Sequence, residues 1–496
     1  SRLEQAFVLA DVSRRREIVA AQIREAAREA GGAARLSDEA LEEMTFLVEW
    51  PTALYGCIDE QYMSLPSDIL VTVMWKHQRY LPVEDASGDL LPRFVALRDG
   101  TAEHVDLVRR GNERVLRSRL ADAAFFFERD LKATFRDWQN ELRRIIFPDG
   151  AGSMYGKCQR MQQLAAWLCD GLDLDLESEA AALRAAELSK ADLASQMMLE
   201  LPELQGIMGG VYAERQGETP ECALAIREHY KPVSASDAVP DSPAGQIVGL
   251  ADRMDTLVAC TKVGYTPRGA EDPLGLRRQA HGLVRIIIER ELTIPLGEFL
   301  DAATAALAGA ITSDKAIEDA AARERVLALI DQRLDAVLEE AGVEYDIRRA
   351  ILNSPHDDLL HAFRRARLLA EERRTFPEFE AAANEATRFG NIARPQGVDE
   401  EPWDPGLFVL PEERGLAEAF ADDLESPDAL RDTDHARQFV RGLAQRKPII
   451  DAYFDHVRVV IEEDETLRQN RLRLLRDLDR LTLRIADFQE LVRPAA

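Results

Sequence analysis

At 496 residues, 46% hydrophobic and 30% charged, the chain is long enough for several cores and too apolar to be disordered throughout. Single cores rarely grow beyond about 250 to 300 residues, so about three or four domains are expected. A net charge of −27, from 62 basic and 89 acidic residues, excludes a generic polyanion binder, so any nucleic-acid contact must be local.

No apolar run reaches the roughly 18 to 20 residues of a bilayer crossing, and even Leu283 to Ile288 is broken by Arg285. No membrane partner is expected. The cysteines Cys57, Cys158, Cys169, Cys222 and Cys260 form no CxxC pair, which argues against a disulfide framework and against structural zinc, and predicts a cytoplasmic protein. The chain opens Ser1-Arg2-Leu3-Glu4, with neither an initiator Met nor an apolar signal core, and is expected to lack an N-terminal part.

In chain order, Ile18, Val19 and Ile23 predict a helix over 12–31, stopped by Gly31 and Gly32. Ser37 is placed to cap a second helix, with Asp38 and Glu39 in its first turn. From Tyr55 to Leu97 the texture is β-rich, with strands expected at Ile69–Trp75, Tyr80–Val83 and Phe94–Leu97 and a turn at Asp85-Ala86-Ser87-Gly88. This predicts the end of a mixed α/β module. Helical patterns then run to about residue 391, with breaks at 147–156, 217–220, 231–245 and 264–275. Pro395, Pro402, Pro405 and Pro411, among many acids, mark 393–414 as an extended linker. A last helical bundle shows an apolar stripe through Leu467, Leu474, Leu478, Leu481, Ile485 and Phe488 over about six turns, with Arg476, Arg480 and Arg484 on another face.

Motifs for independent catalysis are missing: the chain has no GxxxxGK[ST], no GxGxxG after a strand, no GxSxG and no HExxH. Gly206, Gly209 and Gly210 read as a helix-breaking turn. Helical phosphohydrolases of the HD superfamily set a His-Asp pair on one helix and a lone Asp on a later one, because their metals need imidazole and carboxylates in one pocket. Here Leu188-Ser189-Lys190-Ala191-Asp192-Leu193, expected to be helical, precedes Ala251-Asp252-Arg253-Met254-Asp255 by sixty residues, and Ala191 stands where the histidine would be. Ala191, Asp192 and Asp252 are therefore read as degenerate HD positions with the metal site lost. The literal His356-Asp357 pair is read as a surface coincidence, and His229 and His281 as structural histidines.

Ordered blocks then carry a resemblance. They include Leu47-Val48-Glu49-Trp50-Pro51, Met74 through Gln78 to Tyr80, Leu90-Leu91-Pro92-Arg93-Phe94, Gly111-Asn112-Glu113-Arg114-Val115-Leu116 and Arg119-Leu120-Ala121-Asp122-Ala123 with Phe125-Phe126-Phe127. Lys190-Ala191-Asp192-Leu193, Leu204-Gln205-Gly206 with Met208-Gly209, Ala251 through Leu257, Asp272-Pro273 with Leu276-Arg277-Arg278, Asn470-Arg471-Leu472 and Ala486-Asp487-Phe488 follow. Together they resemble the β subunit of bacterial heterotetrameric glycyl-tRNA synthetase. The chain departs from the family in Met74-Trp75-Lys76-His77-Gln78-Arg79-Tyr80-Leu81 and in its long acidic linker.

The resemblance implies a mainly α, multidomain protein: the C-terminal part of an α/β, editing-module-like domain (1–100), a degenerate HD-like helical domain (101–295), a helical connector with the acidic Pro-rich linker (296–414), and an anticodon-binding helical bundle (415–496). It implies a non-catalytic, tRNA-binding subunit of glycine–tRNA ligase, an aminoacyl-tRNA synthetase, that recognises tRNA(Gly) within an α2β2 heterotetramer. No cofactor is expected in this chain, whereas ATP and Mg are expected at the α subunit. Charge agrees, since 431–496 carries a net +1 against −9 for 391–430. Candidate tRNA-binding residues are Tyr453, Arg458, Arg468, Asn470, Arg471, Arg473 and Arg476; Arg471 is expected to read bases and Arg473 to be the more structural, paired with Asp477 at i, i+4. The rival readings are an HD-type phosphohydrolase or editing enzyme, and a helical scaffold without RNA.

Overall fold

The computed structural model describes residues 2–269, 271–461 and 464–491. They form two compact units, each discontinuous in sequence: Ser1–Ile146, Ser153–Gln159 and Ala180–Tyr230 make the first, and Phe147–Gly152, Arg160–Glu179 and Lys231–Ala496 the second. The described chain is mostly helical, with a single small antiparallel sheet.

That sheet belongs to the first unit. Its strands, β1 (Ala33–Ala34), β2 (Pro51–Cys57), β3 (Leu81–Glu84) and β4 (Leu90–Asp99), lie in the order β1-β3-β4-β2. The long β4 pairs on one side with β2, from Pro51 opposite Asp99 to Cys57 opposite Arg93, and on the other with β3. In the turn between β3 and β4 the Asp85 carboxylate accepts from the amides of Ser87 (2.8 Å) and Asp89 (3.0 Å), and Gly88 supplies the positive φ of 86°. Helix Asp38–Leu47 starts at the cap expected of Ser37, whose side chain accepts from the Ala40 amide, and helix Val12–Glu29 starts at Asp11, which accepts from the Arg14 amide in the same way. Val19, Ile23 and Met44 project from them into a core shared with Val83 and Val95 of the sheet.

The strand expected at Ile69–Trp75 is instead the helix Ser67–Gln78. Its β-branched residues invited the strand reading, yet the buried set is Ile69, Leu70, Val73 and Met74, one face of a helix. Pro66 and Asp68 at its start were the helical signal. The glycine cluster also departs from expectation. Gly206 alone, at φ 78°, makes the break; Gly209 and Gly210 lie within the helix Ile207–Arg215. They are small because neighbours are close: a Cβ on Gly209 would sit 2.8 Å from Ile226 Cγ2, and one on Gly210 2.7 Å from the Ala223 carbonyl. Elsewhere in this unit the buried Asp130 carboxylate accepts from the amides of Gln196 (2.8 Å) and Met197 (2.9 Å) and from the Tyr212 hydroxyl (2.9 Å), ordering a helix start.

The second unit is organised on the helix Pro243–Lys262, buried at every position from Ala244 to Thr261. Such a helix must satisfy its charged residues internally. Arg160 grips Asp255 through two hydrogen bonds (2.5 and 3.1 Å), and Arg253 donates to the carbonyls of Gly249 (3.0 Å) and Pro232 (3.3 Å). His356-Asp357, read from the sequence as a surface coincidence, is a clasp: the His356 ring bonds Asp331 (3.0 Å) and the Ser354 carbonyl (2.6 Å), and Asp357 accepts from the Gly297 amide (2.6 Å).

Later helices of this unit include Leu359–Thr375, Phe379–Ala393, Pro411–Ala419, Thr433–Gln445, Lys447–His456 and Glu465–Leu483. The apolar stripe of the last one stays buried beyond the helix, for Ile485 and Phe488 follow its end at Leu483. Arg365, itself buried, takes the carbonyls of Arg484 (2.7 Å) and Ile485 (3.0 Å), satisfying acceptors that a sixth turn would have used. Among the described residues no helix is long and apolar enough to cross a membrane.

Candidate nucleic-acid interface

Two constellations were singled out by the sequence. The first is the set of degenerate HD positions. Helix Leu176–Leu188 ends before the motif, so the expected helical run is broken, and Ala191 and Asp192 sit in a 3-10 turn (Ala191–Ala194) of the first unit, both with no solvent exposure. Asp192 accepts from the Gly206 amide at 2.6 Å, while its other oxygen has no hydrogen-bond partner among the described residues. Nearby, the Lys190 ammonium lies 3.7 Å from the Tyr230 ring centroid, and the His229 ring N–H donates to the Ile226 carbonyl (2.6 Å). Asp252 belongs to the second unit, on the buried helix Pro243–Lys262. Among the described residues no group of three or more His, Cys, Asp or Glu could hold a metal ion.

Burial pushes the Asp192 carboxyl up to about 6, against the hydrogen bond from Gly206 and the charge of Lys190. A raised folded-state value means that the folded chain holds this proton more tightly than the unfolded one. The group's contribution to stability is therefore full below the ordinary value of about 4 and lost as pH rises through 6. Asp192→Asn, which keeps an acceptor for Gly206, is expected to flatten that part of the pH profile. Urea midpoints across the window check this; an unchanged slope in the variant would exclude Asp192 as its source.

The second constellation is the C-terminal bundle, where the seven candidates divide sharply. Tyr453, Asn470 and Arg471 are interior. Tyr453 has no solvent exposure and stands edge-on to Phe454 (5.2 Å between centroids), and burial raises its hydroxyl pKa. Arg471, expected to read bases, is 5% exposed: it donates to Glu413 (2.7 Å) and to the Arg458 carbonyl (2.8 Å). Glu413 in turn accepts from the amides of Val409 (2.8 Å) and Leu410 (2.7 Å), so one carboxylate both starts the helix Pro411–Ala419 and neutralises a buried guanidinium. Asn470 clamps the backbone of Asp404 from both sides, accepting from its amide (2.7 Å) and donating to its carbonyl (3.0 Å).

That clamp anchors an acidic strap along the arginine face of the helix Glu465–Leu483. Arg473 does not pair with Asp477; its guanidinium meets both oxygens of Asp399 at 2.7 Å. Arg476 donates to the carbonyls of Asp399 and Glu401 and to Asp477, and Arg480 meets Glu400 at 2.8 Å. Arg468 pairs locally with Glu465 (2.9 Å), and Arg458 is the one candidate of the seven whose side chain is exposed. Segment 399–404, read as a linker, is thus a tethered counter-charge to the arginine stripe. The signal was present in the sequence as −9 followed by +1, but spacing alone does not say which acids meet which arginines.

Comparison with known proteins bears on this arrangement. A family model described as the glycyl-tRNA synthetase beta subunit matches residues 1–353. The glycine–tRNA ligase beta subunit of Moorella thermoacetica is 42% identical over 492 residues, covering 99% of this chain and 70% of that protein. The chain belongs to the glycyl-tRNA synthetase β-subunit family. The beta subunits of Desulforudis audaxviator and Shouchella clausii, 40% and 37% identical, likewise cover 98% and 99% of the chain and 70% of their own lengths. The family's likeness therefore extends past residue 353 through the strap and the bundle, and the resemblance read from the sequence blocks holds along nearly the whole chain. Membership also places the chain among the subunits of an aminoacyl-tRNA synthetase.

Proposed function

We propose that this chain is the tRNA-binding, non-catalytic β subunit of a glycine–tRNA ligase, recognising tRNA(Gly) so that an α subunit, with ATP and Mg, can attach glycine within an α2β2 assembly. The observation that carries the reading is the match to a beta subunit over 99% of the chain at 42% identity. In this reading residues 1–100 correspond to the end of an editing-module-like domain, 101–295 to an HD-like domain whose histidine position is Ala191, 296–414 to the connector and strap, and 415–496 to the anticodon-binding bundle.

Recognition of splayed anticodon bases needs hydrogen bonds and stacking, with phosphate contacts for register. Arg458, Arg468, Arg473 and Arg476 supply donors at the bundle surface, whereas Tyr453, Asn470 and Arg471 act from inside by fixing the helices and the strap that frame it. The rival hydrolase reading is disfavoured by Ala191, which offers no ligand where HD chemistry requires an imidazole.

The test is reconstitution with the cognate α subunit. The chain is expected to retain that subunit, to support glycylation of tRNA(Gly), and to bind that tRNA more tightly than one with a substituted anticodon. A chain that neither retained the α subunit nor preferred tRNA(Gly) would refute the assignment.

A further inference from the structure

The arginines of the helix Glu465–Leu483 are largely occupied by their own chain. A different cationic surface in the second unit is occupied only in part. Helix Leu359–Thr375, together with the start of Thr433–Gln445 and the end of Leu276–Glu289, bounds a cleft of about 510 Å³. Its charged lining is Arg364, Arg367, Arg374 and Arg437 against Glu291 and Glu371, a local excess of two positive charges in a chain whose net charge is −27. Two of these arginines are engaged: Arg437 with Glu371 (2.9 Å) and Glu372 (2.6 Å), and Arg364 with Glu291 at 3.3 Å between exposed side chains. Arg367 and Arg374 are exposed and have no carboxylate in ion-pair contact among the described residues; Glu371, between them on the helix, feels the charge of both but is paired with Arg437, and Arg374 donates to the Ala370 carbonyl within its own helix.

Their spacing is suited to a chain of phosphates. Seven residues apart, they lie on one face of the helix, with roughly 10 Å of axial rise between them at about 1.5 Å per residue. That separation suits separate phosphates of a polynucleotide better than convergence on one small anion. The half-buried Phe363 ring, 6.0 Å from the Arg367 guanidinium, adds an aromatic face beside the cations, the pairing used by surfaces that follow single-stranded backbone. The helix carrying these groups is held rigidly. Arg365 is tied into the interior by three backbone carbonyls, and the fully buried Glu372 is held by Arg437 and Arg441.

We infer that the cleft of Arg364, Arg367 and Arg374 is a second RNA contact, gripping the phosphodiester backbone of the tRNA without reading its sequence. It rests on the tRNA-binding reading above, extends it to a surface outside the arginine stripe, and assigns the contact to residues that sequence reasoning did not select.

The experiment compares the wild-type chain with R367A/R374A and the charge-preserving R367K/R374K, measuring binding of tRNA(Gly) and of an unrelated tRNA from about 50 to 200 mM salt. With about 0.7 to 0.9 counterions released per phosphate contact, removal of two contacts should lower the slope of log affinity against log salt by roughly 1.4 to 1.8. Affinity should fall for both tRNAs alike, and the lysine pair should retain most of it. Unchanged slope and affinity in a folded R367A/R374A chain would overturn the inference, as would a loss restricted to tRNA(Gly), which would mean base reading. Loss of α-subunit capture with RNA binding intact would overturn it in favour of a protein surface. If the wild type binds both tRNAs equally, the tRNA(Gly) assignment fails while the slope still judges the cleft; if it binds neither, both fall.

Discussion

Glu413→Gln is expected to destabilise the C-terminal bundle by about 3–5 kcal/mol, the usual cost of removing one partner from a buried ion pair. Glu413 is fully buried, and its two oxygens serve Arg471 and the amides of Val409 and Leu410. The amide of Gln keeps one acceptor and turns a donor toward another donor, leaving the Arg471 charge without its counter-ion in a dry site. Burial by itself would raise the Glu413 carboxyl, but the hydrogen bonds from Arg471, Leu410 and Val409 outweigh it and hold it below the ordinary range. For a depressed carboxylate the stabilisation is present above its unfolded value of about 4.5 and is lost as pH falls through the lower folded value. Chemical denaturation of wild type and variant near neutral pH measures the loss, and the variant's deficit should shrink on acidification. A difference below about 1 kcal/mol would show that the pair is solvated in solution.

Neutralising the strap with D399N/E400Q/E401Q is expected to strengthen tRNA binding at low salt by about tenfold or more and to steepen its salt dependence by roughly two units, on the scale of about 0.9 per phosphate contact. The Asp399 carboxylate meets Arg473 and that of Glu400 meets Arg480, while Glu401, whose backbone carbonyl accepts from Arg476, adds its charge near Arg473, and an incoming phosphate must compete with them. The effect does not require the strap to leave, because Asn470 and the carbonyls of Asp399 and Glu401 still tie its backbone, while three negative charges disappear from the face. Exposed ion pairs contribute little to stability, so unfolding should shift by under about 1 kcal/mol per pair. Filter-binding titrations of tRNA across salt concentrations decide the matter. If affinity and slope stay at wild-type values, RNA does not approach this face.

Legibility from the sequence followed the range of the interactions. Features with local partners were readable: Ser37 marks its own helix start, and Asp85 with Gly88 marks its own turn, because donor and acceptor lie within a few residues. Ile69–Trp75 was misread where β-branched composition opposed a helical burial pattern, and packing prevailed. The glycines at 209 and 210 looked like a turn because their close neighbours, Ile226 and Ala223, are remote in sequence.

For the interface, the sequence alone determined family likeness, the helical bundle, the arginine stripe and the acidic run before it, since each is a property of order and composition. Tertiary structure decided which arginines remain available. Arg471 is paired 58 positions away with Glu413, Asn470 is spent on Asp404, and Arg473 on Asp399, while Arg367 and Arg374 face a cleft built by helices that begin or end about sixty to eighty residues away. Guanidinium chemistry is the same at each of these positions. Only the folded distances to carboxylates, and the water excluded around them, separate a structural arginine from one free to hold a phosphate.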